Sequence, residues 1–285
     1  MNNSSDLVFK AWAESAAFLD KHGEARRLMF RPITEALCRE GGVPEAPPDF
    51  AFELLDVASG PGEAALDIAE FLGPNLTVWC TDLVPDMVRI ATDSGTARGI
   101  TNARFHECRA EDLPFDSGFF DAVICQFGIM FFRDPAAGIR EALRVLKPGG
   151  RAAYCVWGTR EANPIHRVIQ DVLDRYFPAA PADPDQPGAY RFSPRGKLLR
   201  LMHEAGAVKV SERVLNCDIQ APLSFDQFFE VRTAMSDSLR DKIRRMAPEQ
   251  AASFKEEVRA ESRDYITTAG FRFPAEVLLV SGARE

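Results

Sequence analysis

The stretch LLDVASGPGEAAL, residues 54–66, decides the fold. An apolar run ends at Val57, the glycines Gly60 and Gly62 follow, and apolar residues then continue at helical spacing. Glycine lets the backbone pass close to a ligand, and the start of the next helix offers unpaired N–H groups. The stretch therefore predicts a strand, a turn that cradles a nucleotide, and a helix.

Short apolar strands and helices alternate from residue 52 to residue 157. Helix starts are marked by Pro85 and by the pair Asp134 and Pro135, a side-chain cap followed by a proline in the first turn. Such alternation predicts a doubly wound, parallel α/β sheet. The predicted strands lie in FELLDVA, LTVWCTD, ARFHECRAEDLPF, FFDAVICQFG, RAAYCVWG, VKVSERVLN and PAEVLLVSG.

Composition shifts divide the rest of the chain. The residues before Pro48 have helical spacing, and a proline-rich stretch follows the fifth predicted strand. The predicted organisation is an N-terminal helical lid (1–50), a core (51–158), a proline-rich insertion (159–193), a continued core (194–223), a helical insertion that covers the substrate (224–270) and a last core strand (271–285).

The composition disfavours several classes of function. A formal net charge of −8 disfavours nucleic-acid binding, which needs clustered Lys and Arg. We see no secretory signal and no run of about 18 apolar residues, so we expect a cytoplasmic protein without a membrane span. The six cysteines are dispersed, without a C-x-x-C pair, and four fall in or beside predicted strands. We therefore expect buried thiols and no metal site.

The glycine turn alone does not identify its nucleotide. Gly60, Gly62 and Ala65 fit the loose G-x-G-x-x-[GA] pattern, which also occurs in NAD-binding folds. Asp56, however, precedes the glycines, and a carboxylate there suits a cationic ligand better than a pyrophosphate. Asp82, at the end of the second predicted strand, is placed for ribose hydroxyls in either case.

Four segments together carry a resemblance to a known family. LLDVASGPGEAAL, CTDLVPDMV, AEDLPFDSGFFDAVICQFG and ALRVLKPGGRAAYCVWG, in this order and spacing, resemble a class I S-adenosylmethionine-dependent methyltransferase. The sequence is most similar to the branch that includes the ubiquinone and menaquinone biosynthesis C-methyltransferases. This resemblance covers residues 52–158 and, loosely, the terminal strands. It implies a Rossmann-like sheet of seven strands with the last antiparallel, and S-adenosyl-L-methionine across the carboxyl ends of the first strands.

The resemblance also implies which residues bind the cofactor. The glycine loop, with Asp56, Ala58, Ser59, Gly60 and Gly62, is expected to contact the methionine part of the cofactor. Asp82 and Leu83, at the end of the second strand, are expected at the ribose, and Arg109, Ala110 and Glu111, after the third strand, at adenine. Gln126 and Phe127, at the end of the fourth strand, are expected near the methyl group.

Two departures from the family pattern stand out. The family often writes the loop as Asp-x-Gly-Cys-Gly-x-Gly, but Ala58 and Ser59 replace its first glycine and its cysteine. Arg109 stands where an acidic or amide residue often precedes the alanine at adenine. We therefore expect the adenine amino group to find its partner elsewhere, with Glu111 or Asp112 as candidates.

Catalytic residues beyond the cofactor site are weakly marked. Methyl transfer depends mainly on positioning, and a general base is needed only if the acceptor must lose a proton. His166 and Tyr190 are the candidate catalytic residues, and His22 is a further candidate base. Arg191 is a candidate anchor for a carboxylate. A structural or solvated residue is the favoured interpretation of each.

The acceptor pocket is expected in the parts outside the sheet. FGIMFF (127–132) and FDQFF (225–229) predict either an apolar, partly aromatic pocket or simply core. The sequence thus favours methyl transfer to carbon, oxygen or nitrogen of a small apolar or aromatic molecule. Two alternatives stay open, namely a catalytically silent cofactor-binding relative and an NAD-dependent oxidoreductase. Assembly as a homodimer is also left open.

Overall fold

The computed structural model describes residues 9–10, 12–14, 16, 23–178, 183–234 and 236–285. The candidate base His22 lies outside the described residues. Within them, no helix is long and apolar enough to cross a bilayer.

One mixed sheet forms the centre of the described structure. Its strand order is β3-β2-β1-β4-β5-β8-β6, and β7 pairs with β8. Pairing is parallel from β3 to β5, whereas β8 runs antiparallel to both β5 and β6. The predicted fold is confirmed, and the two-residue β7 is an addition. The strands are β1 (Phe52–Val57), β2 (Leu76–Asp82), β3 (Ala103–Glu107), β4 (Phe120–Gln126), β5 (Leu146–Trp157), β6 (Val208–Ala221), β7 (Ile266–Thr267) and β8 (Gly270–Ala283).

Helices flank the sheet. The central strands read as continuous apolar runs because both faces are covered, and Val123, Ile124 and Cys125 are fully buried. The helices are α1 (Gly23–Gly41), α2 (Glu63–Leu72), α3 (Pro85–Ala97), α4 (Pro135–Val145), α5 (Pro164–Tyr176), α6 (Lys197–Glu204), α7 (Phe225–Ala234), α8 (Asp237–Arg244) and α9 (Pro248–Glu261), with a 3-10 turn at Ile129–Phe131.

Helix α5 lies where the sequence indicated only a proline-rich insertion. Asn163 precedes it, Pro164 occupies its first turn, and its buried face follows helical spacing. These signals were present in the sequence but were masked by the prolines that follow the helix. The buried apolar residues are Ile165, Val168, Ile169, Val172 and Leu173.

The chain leaves β1 and β4 through a left-handed backbone. Ala58 has φ 55° and Phe127 has φ 56°, a conformation that costs a residue with a Cβ about 1–2 kcal/mol. Gly128 follows with a φ of −90°, which residues with a side chain also adopt. Glycine is therefore needed here because there is no room for a side chain, and not because of the backbone conformation. A Cβ there would lie 2.7 Å from the Ala58 Cβ and 2.8 Å from the Cys125 Sγ. The two turns are therefore packed directly against each other.

We expect Gly128→Ala to lower the free energy of unfolding by about 1–3 kcal/mol, because the new methyl group overpacks this junction. The loss should shrink in an Ala58→Gly background, since one of the two close contacts is then gone. Urea unfolding of the two single variants and the double variant measures this coupling. Equal losses in both backgrounds would show that the turns do not press on each other.

Candidate active site

A large cavity of about 1240 Å³ opens at the carboxyl ends of the parallel strands. This is the edge where open α/β sheets bind ligands. A site for one small molecule usually occupies roughly 300–1,000 Å³, so this cavity has room for a cofactor and a second molecule. The predicted site residues that line it are Asp56, Ala58, Ser59, Gly60, Asp82, Leu83, Arg109, Ala110, Glu111, Gln126, Phe127, His166 and Tyr190.

Gly62 is the predicted cofactor residue that does not line this cavity. It precedes α2 with φ 81° and is buried, and a Cβ there would lie 2.9 Å from the Ala91 Cβ on α3. The backbone needs glycine at this position for the left-handed turn and for the close approach of α3. Gly62 therefore shapes the loop from behind.

Asp82 holds the glycine loop in place. Its Oδ2 accepts a hydrogen bond from the Gly60 N–H at 2.9 Å, and its Oδ1 accepts one from the Val84 N–H at 2.9 Å. Burial raises the pKa of Asp82, and these backbone hydrogen bonds oppose the shift. A carboxylate oxygen can accept more than one hydrogen bond, so Asp82 keeps capacity for ribose hydroxyls. Gly60 has φ 56° and open space where a Cβ would lie.

Asp56 is a buried carboxyl group with an unsatisfied oxygen. The residue is 1% exposed, and its Oδ1 has no hydrogen-bond partner among the described residues. Burial, and secondarily the charge of Asp82, raise the pKa of Asp56 to about 8. A cationic group bound beside it would favour the ionised form.

Arg26 on α1 is a site residue that the sequence did not reveal. Its Nη1 donates to Glu63 Oε1 at 2.6 Å, while its buried Nε has no partner within the described ranges. Arg26 and Asp56 thus offer a free donor and a free acceptor in the same cavity. Their charges are complementary to the carboxylate and the ammonium of an amino acid. No motif marks Arg26, because only the packing of α1 against α2 brings it to the loop.

The expected adenine segment follows β3. Ala110 is buried, whereas Arg109 is exposed at the edge of the cavity and bridges to Asp112 in the backbone. Glu111 Oε1 accepts hydrogen bonds from the N–H groups of Arg133 at 2.9 Å and Asp134 at 3.2 Å. Glu111 therefore fixes the segment before α4 and lines the cavity, while Asp112 is exposed and does not line it.

A row of rings leads away from the end of β4. Phe127 stacks on Trp157 with centroids 4.2 Å apart, and Phe30 of α1 lies edge-on to both at 5.7 and 6.3 Å. Trp157 then contacts the His166 ring at 4.6 Å, and Tyr190 follows at 5.9 Å from His166. This aromatic row forms one wall of the cavity from the glycine-loop side to α5.

The apolar stretches FGIMFF (127–132) and FDQFF (225–229) lie in different parts of the structure. Most of FGIMFF lines the cavity, although Ile129 is core. In FDQFF, by contrast, Phe225, Phe228 and Phe229 pack with one another and with aromatic residues of α9 and β8, and none lines the large cavity. The pocket interpretation of FDQFF was wrong and the core interpretation is confirmed.

His166 and Tyr190 meet Arg232 of α7 at the far end of the aromatic row. His166 Nδ1 lies 2.9 Å from Arg232 Nη2. A guanidinium only donates, so Nδ1 accepts and the proton of the neutral ring is on Nε2. Burial, and secondarily Arg232, lower the pKa of His166 well below its usual value. His166 Nε2, Tyr190 Oη and Arg232 Nε are buried and lack partners among the described residues.

Arg191, the candidate carboxylate anchor, is directed elsewhere. Its Nη1 donates to the Phe132 carbonyl at 2.7 Å, and the residue does not line the cavity. Arg232, and not Arg191, is the arginine that contacts His166 in the cavity. Among the described residues, no group of three His, Cys, Asp or Glu side chains is arranged to hold a metal ion.

Comparison with known proteins agrees with this geometry. Residues 54–150 match the sequence family described as methyltransferase domain. This part of the chain is therefore similar to a methyltransferase domain, as the four sequence segments indicated. The resemblance found in the sequence is thereby confirmed, and so is S-adenosyl-L-methionine as the cofactor of the family.

Three relatives show how far the likeness extends. The ubiquinone/menaquinone biosynthesis C-methyltransferase UbiE of Geobacter sulfurreducens is 33% identical over 148 residues, 51% of this chain and 57% of that protein. The chain thus spans little more than half of this relative. The YcgJ protein of Bacillus subtilis aligns with a TM-score of 0.54 at 20% identity, over 88% of this chain and 99% of that one. Phosphoethanolamine N-methyltransferase 2 of Haemonchus contortus aligns with a TM-score of 0.55 at 16% identity. This alignment covers 95% of this chain and 60% of that one. The two structures share the fold.

We expect Asp56→Asn to flatten the pH dependence of stability. Because the pKa of Asp56 is raised in the folded protein, its contribution to stability is fully present below pH 3.8 and is lost as the pH rises through about 8. The wild type without ligand should therefore lose on the order of a few kcal/mol more than the variant between pH 4 and pH 8. Chemical unfolding at several pH values measures the difference.

Asp86→Asn, on the exposed side of α3, is the matched control and should keep the wild-type profile. Asp82 and Glu63, whose pKa values burial also raises, are present in all three proteins. If Asp56→Asn retained the full wild-type slope, Asp56 would be ionised in the folded protein.

Proposed function

We propose that this chain is an S-adenosylmethionine-dependent methyltransferase that transfers a methyl group to a small aromatic acceptor. One observation carries the proposal, namely that the same cavity joins the glycine loop at Gly60 to the aromatic row at Phe127 and Trp157. The curated relative is named for C-methylation in quinone biosynthesis, which supports an aromatic ring as acceptor. Carbon is therefore the favoured site of methylation.

The residues around the glycine loop fit the cofactor. Arg26 Nε and Asp56 Oδ1 are the unsatisfied atoms that would bind the carboxylate and ammonium of the methionine part. Asp82 would hold the ribose hydroxyls, and the backbone N–H of Ala110 is the proposed partner for adenine. When bound, the cofactor supplies an electrophilic methyl group on a sulfonium. Two nearby carboxyl groups suit that cation and oppose the pyrophosphate of NAD.

The aromatic wall would position the acceptor for methyl transfer. Phe127 and Trp157 would hold the acceptor ring beside the methyl group, and correct placement alone is worth up to ~7–11 kcal/mol. The N-terminal helix α1 covers this wall, with Phe30 against both rings and Thr34 Oγ1 donating to Gln126 Oε1 at 2.8 Å. We propose that residues 1–50 act as a lid that excludes water. The remaining domain boundaries, the cytoplasmic location, a homodimer and the exclusion of nucleic acid stay predictions.

The cofactor assignment is tested by calorimetric titration with S-adenosylhomocysteine and, in parallel, with NADH. We expect micromolar binding of the first and none of the second. Asp82→Asn should weaken S-adenosylhomocysteine binding tenfold or more, because it removes charge-assisted hydrogen bonds of about 1.5–3 kcal/mol and loosens Gly60. Asp86→Asn is the control. Wild-type affinity in a folded Asp82→Asn variant would mean that Asp82 does not contact the cofactor.

The activity is tested with labelled S-adenosylmethionine and a panel of phenols, hydroquinones and aromatic carboxylic acids. We expect Trp157→Leu to lower kcat/KM at least tenfold for the preferred acceptor without changing the affinity for S-adenosylhomocysteine. We expect this difference because the Trp157 ring positions the acceptor and does not bind the cofactor. Tight cofactor binding without turnover of any compound would favour the silent relative.

A further inference from the structure

Arg232 differs from the paired arginines of the same cavity. Arg26 pairs with Glu63 at 2.6 Å, and Arg160 pairs with Asp174 at 3.0 Å. Arg27 and Arg31 are also paired with carboxylates. Arg232 instead donates to the neutral imidazole of His166, and no carboxylate among the described residues neutralises it. The cavity therefore contains an uncompensated guanidinium.

This arrangement is costly without a ligand. Burial lowers the pKa of Arg232 to about 10, and the group is still a cation at neutral pH. A buried charge without a counterion destabilises a folded protein unless something pairs with it. Burial also raises the pKa of Tyr190 to about 12, so its hydroxyl keeps its proton and does not neutralise Arg232.

The described residues that line this end of the cavity have three unsatisfied side-chain atoms, and all three carry hydrogen. Arg232 Nε, His166 Nε2 and Tyr190 Oη each have an N–H or O–H to donate, and the Nδ1 that could accept on His166 is occupied by Arg232. A set of donors around one positive charge matches an oxyanion in charge and in hydrogen bonding. Such a site gives a neutral or cationic ligand little to bind.

We propose that Arg232, His166 and Tyr190 form an oxyanion receptor for the methyl acceptor, which is an aromatic molecule with a carboxylate or an ionised hydroxyl group. The proposal rests on the proposed function, because it identifies the occupant of the same cavity. His166 then acts as a donor and not as a general base. The acceptor's ring would lie along Trp157 and Phe127, since Trp157 contacts both His166 and Phe127.

Matched ligand pairs test the charge preference. Benzoate is compared with benzamide, and 4-nitrophenolate with nitrobenzene, by calorimetry on the full chain saturated with S-adenosylhomocysteine at pH 8. We expect each wild-type anion to bind at least tenfold more tightly than its neutral partner. Arg232→Met should bring this ratio close to one, and Tyr190→Phe should reduce it three- to tenfold. Arg133→Met, an exposed arginine of the same cavity, is the control and should keep the wild-type ratio.

Thermal stability separates a receptor from a structural residue. Without ligand, Arg232→Met should melt at the wild-type temperature or above it, because an unpaired charge is removed. Benzoate or 4-nitrophenolate should raise the Tm of the wild type and not that of the variant. If Arg232→Met does not fold, Tyr190→Phe decides between the two roles. An unchanged anion preference in that variant overturns the receptor, and a reduced preference supports it.

Failure of this proposal is distinguishable from failure of the proposed function. Equal wild-type affinity for anion and neutral partner, with S-adenosylhomocysteine bound, overturns the receptor and leaves methyl transfer standing. Absence of S-adenosylhomocysteine binding overturns the proposed function. In that case the titrations with the anions and their neutral partners are repeated without S-adenosylhomocysteine, and they still decide whether Arg232 confers an anion preference. A preference in one ligand pair alone identifies the oxyanion as carboxylate or phenolate.

Discussion

The pairing of β1 with β4 is the constraint on which the whole site depends. The strand order reverses direction between them, so their helices pack on opposite faces and a crevice opens at their carboxyl ends. The chain leaves both strands in the left-handed conformation, at Ala58 and at Phe127. Ala58 brings the glycine loop under Asp82, and Phe127 turns its ring towards Trp157. The strained backbone at Ala58 and Phe127 thereby determines the position of the glycine loop and the orientation of the aromatic wall.

The two ends of the cavity carry opposite electrostatic character. At the glycine loop Asp56 and Asp82 are carboxyl groups whose pKa values burial raises, so the protein is poised to accept a cation there. At α5 and α7 the uncompensated charge is the guanidinium of Arg232. A cationic methyl donor and an anionic acceptor would each find the complementary end, and the aromatic row would keep the two in register. In the proposed reaction, charge would thus orient the cofactor and the acceptor as they enter the cavity.

The sequence predicted those features that are local in the chain. Strand–helix alternation yields the sheet, and the loop from Asp56 to Gly60 can be identified because its glycines and carboxylate are neighbours. Arg26 and Arg232 could not be found in this way, since only the packing of α1 and α7 over the strand ends brings them to the cavity. FDQFF left both a pocket and a core interpretation open, because an apolar helix face has the same sequence pattern whether it contacts a ligand or Phe254 and Phe273.

Several unfavourable features of the structure lie around one cavity. Ala58 and Phe127 are strained, the Asp56 oxygen is unsatisfied, and Arg232 lacks a counterion among the described residues. Each costs stability in the protein without ligand. A bound group of opposite charge would satisfy the Asp56 oxygen and pair with Arg232. Strain and unpaired polar groups persist where the surrounding fold over-determines them and function requires them. Their concentration at the ends of β1, β4 and α5 is therefore an independent physical reason to place the chemistry there.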